Sequence, residues 1–140
     1  MMRGHFKVSD IIMGSLAKGE DLLLSLQKIC SEEHIVAGRI EVIGMVKHAT
    51  LACYHQKTKK YEQVKHRKHM EIVACHGNIT LKDGKPWVGL HTSLADHEGN
   101  MFGGILFEGT EIFMAEYTIA KYEGDPMERH FDEETGLDVF

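Results

Sequence analysis

The chain is short of the features that would mark it as secreted, membrane-spanning or covalently stapled. Its 140 residues include three cysteines, Cys30, Cys53 and Cys75. They are odd in number, far apart and form no Cys-x-x-Cys pair, which argues against a disulfide framework or zinc knuckle and for a reducing compartment. Proline occurs twice, at Pro86 and Pro126, so no proline-rich linker divides the chain. No apolar stretch approaches the roughly 18 residues of a membrane span, and the N-terminal residues lack a signal peptide's apolar run. A cytoplasmic protein with no membrane partner is expected. A basic excess is missing as well. Net charge is −5, and residues 124–140 carry all of it, with six acids against the single base Arg129. Residues 1–123 are therefore neutral, unlike the body of an autonomous DNA binder, whose affinity comes from cations displacing phosphate counterions.

What is present suits one globular domain: 43% hydrophobic and 26% charged residues, in a length that buries about two thirds of its unfolded surface. The body is read as residues 1–123. The acidic tail, 124–140, intersperses Met127, Phe131, Leu137, Val139 and Phe140 with its charges, so it is expected to dock on the body or on a neighbouring subunit.

Hydrophobic spacing predicts one helix, over about residues 20–33, where Leu22, Leu23, Leu26, Ile29 and Cys30 recur every three or four positions. Glu20 and Asp21 fall in its first turn, where negative charge suits the helix dipole. Elsewhere the period is two. Strands are expected over 5–16, through Ile40 and Val42, through Leu51 and Cys53, and over 61–65, 70–81, 87–95, 101–107 and 110–122. Asp83-Gly84 is a hairpin signal, and Glu108-Gly109 reads as a final turn. The expected fold is α+β, a mostly antiparallel sheet of about seven strands with one main packed helix.

Three segments carry a family likeness: residues 37–44 (AGRIEVIG), 77–86 (GNITLKDGKP), and His91-Thr92-Ser93-Leu94-Ala95-Asp96 followed by Gly99 and Gly103-Gly104. In this order, across about residues 3–122, the chain resembles the plant and prokaryote conserved (PPC) domain family in its free-standing prokaryotic form. The resemblance implies a homotrimer and a fold similar to acetolactate decarboxylase, a zinc enzyme with three histidine ligands. Plant members owe DNA contact to AT-hook segments, and no Arg-Gly-Arg-Pro hook occurs here. Free-standing members are often labelled DNA-binding by association with them.

Many such members show His-x-His on one strand and Gly-Gly-His on the next. Residues two apart on a strand share a face, so three such imidazoles can converge on one ion and leave a position open. Carried onto this chain, the positions are Gly89, His91 and Ile105, and only His91 is a histidine. If Asp83-Gly84 is a two-residue turn, Lys82 faces Lys85, His76 faces His91 and Asn78 faces Gly89. If 96–100 is the next loop, Ala95 pairs with Met101 and His91 with Ile105. His76 and His91 then share a face and stand as candidate zinc ligands. The competing reading, favoured by a count of only two ligands, is a pair of partly buried, hydrogen-bonded histidines. Asn78, Gly89, Gly103, Gly104 and Ile105 complete the candidate patch.

Lys65-His66-Arg67-Lys68-His69 is the one basic cluster. Lys65, Arg67 and Lys68 are candidate polyanion contacts, although such a run is more often a solvated loop. Cys75 and His76 are adjacent on a strand and so point to opposite faces, which favours a buried structural cysteine over a nucleophile. Gly103-Gly104 suits a strand bend, a subunit interface or a pocket floor. Trp87, Phe102, Phe107 and Phe113 are read as core or interface. The functional expectation is a non-catalytic homotrimeric module that binds a ligand or protein partner, with a degenerate metal site and no cofactor. The alternatives are a metal-dependent lyase or hydrolase using His76 and His91, and a DNA-binding oligomer.

Overall fold

A computed structural model of the chain describes residues 2–140. The elements run β1 (Lys7–Leu16), α1 (Leu22–Glu32), β2 (Gly38–His55), β3 (Lys60–His66), β4 (Met70–Lys82), β5 (Lys85–Ala95), β6 (Met101–Glu123), β7 (Glu128–Asp132) and β8 (Leu137–Val139). This is a strand-rich, mostly antiparallel sheet with a single helix. The expectation of about seven strands becomes eight. Two of them, β7 and β8, come from the acidic C-terminal residues.

Helix α1 starts later than its apolar spacing suggests, because Asp21 is its N-cap. The Asp21 carboxylate accepts from the Leu24 N–H at 3.0 Å, satisfying one of the otherwise orphaned donors of the first turn. The same side chain accepts from the N–H groups of Gly109 and Thr110 at 2.7 and 3.1 Å, which ties the helix start to β6.

Two strands are longer than the period-two runs imply. The segments through Ile40 and Leu51 are one strand, β2. Glu108-Gly109 is not a chain reversal, since β6 runs through it. Gly109 has φ +95°, and the β2–β6 register slips between His48↔Glu111 and Thr50↔Phe107. The extra residues are absorbed as a bulge, which glycine accommodates in that conformation.

Strand β2 pairs with both β4 and β6, β4 with β5, and β5 with β6. These four pairings close a ring. Strand β1 adds to β6, and β3 to β2. Inside lies the core: Leu22, Leu26 and Cys30 of α1 pack with Ile40, Val46, Leu51, Ile79, Leu90, Leu94, Ile112 and Ile119. Burial pushes the Cys30 thiol up to about 12. Cys75 is also buried, its thiol likewise raised by burial, and it accepts from the Thr92 hydroxyl at 3.3 Å.

Asp83-Gly84 forms the tight turn its sequence signals, with φ +52° and +70°. It sets the register Lys82↔Lys85, Asn78↔Gly89 and His76↔His91. The loop after β5 sets Ala95↔Met101 and His91↔Ile105. Both registers agree with the sequence-based ones.

Candidate functional site

The outer faces of β4 and β5 carry the candidate residues. Alternation buries Cys75, Ile79, Val88 and Leu90 on the inner face and turns His76, Asn78, Gly89 and His91 outward. His76 and His91 are directly opposed. Both are exposed rather than partly buried, and no hydrogen bond links their rings. On the other side of His76 stands Glu41 of β2, whose carboxylate accepts from Arg39 at 2.9 Å. Sequence reasoning did not pick out Glu41, because it comes from a distant strand. Among the described residues, no three His, Cys, Asp or Glu side chains converge closely enough to hold an ion.

The metal position implied by the resemblance fits poorly with the side chains present. A Cβ built on Gly89 would lie 2.3 Å from the Trp87 ring, so the indole occupies the space a ligand at position 89 would need. Ile105 offers a hydrocarbon where a third imidazole would stand. Trp87 was expected in the core or an interface. It lines the site, and the clue lay in its spacing, two residues from Gly89 on one strand face.

The indole is covered in turn. The Arg129 guanidinium of β7 stacks over it at 4.4 Å, and the Phe140 ring lies 4.9 Å from the same cation. Arg129 donates to the Thr80 hydroxyl and to the Asp138 carbonyl, each at 2.9 Å. Burial lowers its pKa, opposed by the charge of Asp138. The segment carrying it is held by β4–β7 pairing at Leu81↔Glu128 and Lys82↔Arg129, by an ion pair between Lys82 and Asp138 at 2.5 Å, and by the Gly84 N–H donating to Glu128 at 3.1 Å.

Between this C-terminal hairpin and the sheet lies a cleft of about 930 Å³. Asn78, Gly89, His91 and Ile105 line it, with Trp87 and Arg129. His76, Gly103 and Gly104 do not. A Cβ on Gly104 would meet the Ala52 carbonyl oxygen at 2.7 Å, so that glycine serves the close approach of β2 and β6. Tyr54, Tyr61 and Phe107 form an aromatic wall, with Tyr61 5.0 Å from Tyr54 and 5.6 Å from Phe107. The cleft thus combines flat apolar surfaces, one desolvated cation, several side-chain amides, an imidazole and the carboxylates of Glu108 and Asp138, the latter paired with Lys82, a mix suited to holding an organic ligand in one orientation.

The basic cluster divides. Lys65 and Arg67 are exposed. Lys68 is committed to Asp96 at 2.7 Å and lies over the Phe102 ring at 4.1 Å. Asp96 is buried, and it also accepts from the Glu98 and Asn100 N–H groups. Lys68 foremost, then these donors, hold its carboxyl well below the usual carboxylate range.

No curated protein matches the chain. The model of the Plants and Prokaryotes Conserved (PCC) domain matches residues 3–123. Among solved structures, a metal-containing protein from Archaeoglobus fulgidus is 33% identical with a TM-score of 0.96, over 100% of this chain and 99% of that one. A plant- and prokaryote-conserved (PPC) protein from Pyrococcus horikoshii is 30% identical with a TM-score of 0.92, over 100% and 98%. A candidate DNA-binding protein from Bacteroides thetaiotaomicron, 23% identical with a TM-score of 0.88 over 97% and 95%, shares the fold. The chain belongs to the PCC (PPC) domain family.

Proposed function

We propose that this PPC-domain protein is a non-catalytic, cytoplasmic, homotrimeric module that binds a small ligand in the cleft between its C-terminal hairpin and the outer sheet face. One observation carries the reading: the Trp87 indole, clamped by Arg129, fills the space above Gly89 where a metal ligand would stand. The aromatic walls and the Arg129 guanidinium favour a flat organic anion, since Arg pairs carboxylates and aromatic faces alike. The trimer is supported by apolar residues left uncovered on the outer face of a single chain, Ile11 (59% exposed), Met13 (76%) and Ile43 (61%). These side chains stand on β1 and β2, the two strands flanking β6, and exposed apolar surface is a usual ground for subunit contact. Among the described residues, no helix is long and apolar enough to cross a membrane.

Trp87 is the chain's single tryptophan, so its emission reports on the cleft directly. Titration with aromatic carboxylates should shift or quench it saturably, and Arg129→Ala should weaken the response by about tenfold, the worth of one charge-assisted hydrogen bond. An emission indifferent to every such probe counts against the cleft. Light scattering should give the mass of three chains.

A metal-dependent lyase or hydrolase is the second reading, and acetolactate-decarboxylase-like architecture belongs with it. In its favour are the His76–His91 pairing with Glu41 alongside, and the metal-containing protein that is 33% identical. The DNA-binding reading rests on the names of proteins 23% and 24% identical. It meets a neutral body and an acidic C-terminal segment. Metal content separates the first two readings.

A further inference from the structure

A second recess lies away from the cleft, at the β6 bulge. It encloses about 420 Å³, and its lining includes Lys47, His48, Thr50, Lys65, Arg67 and Gly109 but no Asp or Glu. The sequence disperses these cations over β2, β3 and the segment just past β3. The bulge and the β2–β3 pairing Thr50↔Lys65 bring them together.

The floor is rigid. Thr50 donates its N–H to the Thr110 hydroxyl at 3.1 Å and its own hydroxyl to the Gly109 carbonyl at 3.3 Å. The His48 ring is fixed between the Gly109 carbonyl and the Glu111 carboxylate, each at 3.0 Å.

The nearby carboxylates are already engaged. Glu111 bridges Lys47 and His48, and the Lys47 ammonium foremost holds it below the usual carboxylate range. Asp21 caps α1 and accepts from Gly109 and Thr110. His66, also on the rim, lies tilted against Phe102 with ring centres 4.7 Å apart, and burial lowers its pKa. Lys65 and Arg67 have no ion pair or side-chain hydrogen bond among the described residues. Two uncompensated cations therefore face one concave, polar-floored space beside a third cation, in a chain whose net charge is −5.

We infer that this recess binds the phosphate group of a small phosphorylated molecule, with Lys65 and Arg67 as its principal contacts. A fixed floor ringed by cations suits a tetrahedral dianion, and Arg67 can grip it through two N–H groups. Two features set this apart from nucleic-acid binding. The cations share one local concavity of about 420 Å³ that opens to solvent, and the chain's overall charge repels a polyanion while leaving a single phosphate within the local field.

The test is calorimetric titration of the full chain at physiological salt with inorganic pyrophosphate, and separately with a short DNA duplex. Pyrophosphate should bind saturably and more tightly than the duplex. The Lys65→Ala/Arg67→Ala variant changes exposed side chains only. It should keep the parent melting temperature and weaken pyrophosphate binding by about tenfold or more. The Lys57→Ala/Lys60→Ala variant removes two exposed lysines from the β2–β3 turn and should bind as the parent does. Three results would overturn the assignment: no saturable pyrophosphate binding, equal weakening in both variants, or binding of duplex in preference to pyrophosphate.

Discussion

Strands β4 and β5 present one backbone to two environments. On the inner face Cys75, Ile79, Val88, Leu90 and Leu94 are 1–3% exposed. On the outer face His76, Asn78 and His91 are exposed, and Gly89 lies under a tryptophan. The inner face is constrained by volume, because a packed core tolerates neither voids nor excess methylenes. The outer face is constrained only by what it must bind. The sheet and its register can therefore stay intact while the residues at 89 and 105 vary.

The sharpest way to break this comparison is to truncate each face in turn. Leu90→Ala should cost about 3 kcal/mol of unfolding free energy by the cavity it leaves. His91→Ala, one residue away, should stay within about 0.5 kcal/mol. Denaturant titration of both variants checks this, and similar losses would mean the outer face is structural after all.

A smaller effect concerns Trp87. Gly89→His alone should destabilise the fold by about 1–3 kcal/mol through overpacking against the indole, and adding Trp87→Ala should restore most of the loss. With Ile105→His as well, three imidazoles stand at the positions implied by the family resemblance. That triple variant should bind zinc, measured by competition with a chromogenic chelator.

Two further predictions lie outside the β4–β5 pair. The Asp96 carboxyl is held below its ordinary value, so the stability it contributes is present above the unfolded value of about 4 and is lost as pH falls below it. Asp96→Asn should melt lower than the parent at neutral pH, and the gap should narrow on acidification. The smallest effect is chemical: Cys53, exposed, should react with a thiol reagent in the native protein while Cys30 and Cys75 do so only on unfolding.

Much of the fold could be read from spacing. Leu22, Leu26 and Cys30 define the helix face, and Asp83-Gly84 fixes the β4–β5 register residue for residue, because a two-residue turn leaves no slack. The unity of β6 was hidden, since Glu108-Gly109 reads as a turn in sequence while Gly109, at φ +95°, acts as a bulge, and β2 showed its alternation only through Ile40 and Val42 and through Leu51 and Cys53. Asn78, Gly89, His91 and Ile105 could be gathered from pairing rules alone. The filling of the space above Gly89 could not, because it depends on the rotamer of Trp87 and on an arginine that arrives from 42 positions downstream. The cationic recess was legible in part: Lys65 and Arg67 stood out as candidate polyanion contacts, but Lys47 and His48 join them only through the β2–β3 pairing.

The central claim is that Trp87, held by Arg129, closes the position that the family resemblance implies for a metal ligand. Zinc content of the purified protein, prepared without a histidine tag, tests it most directly. The account predicts well under one zinc per chain, unchanged by His91→Ala. One zinc per chain, lost on His91→Ala, would contradict it.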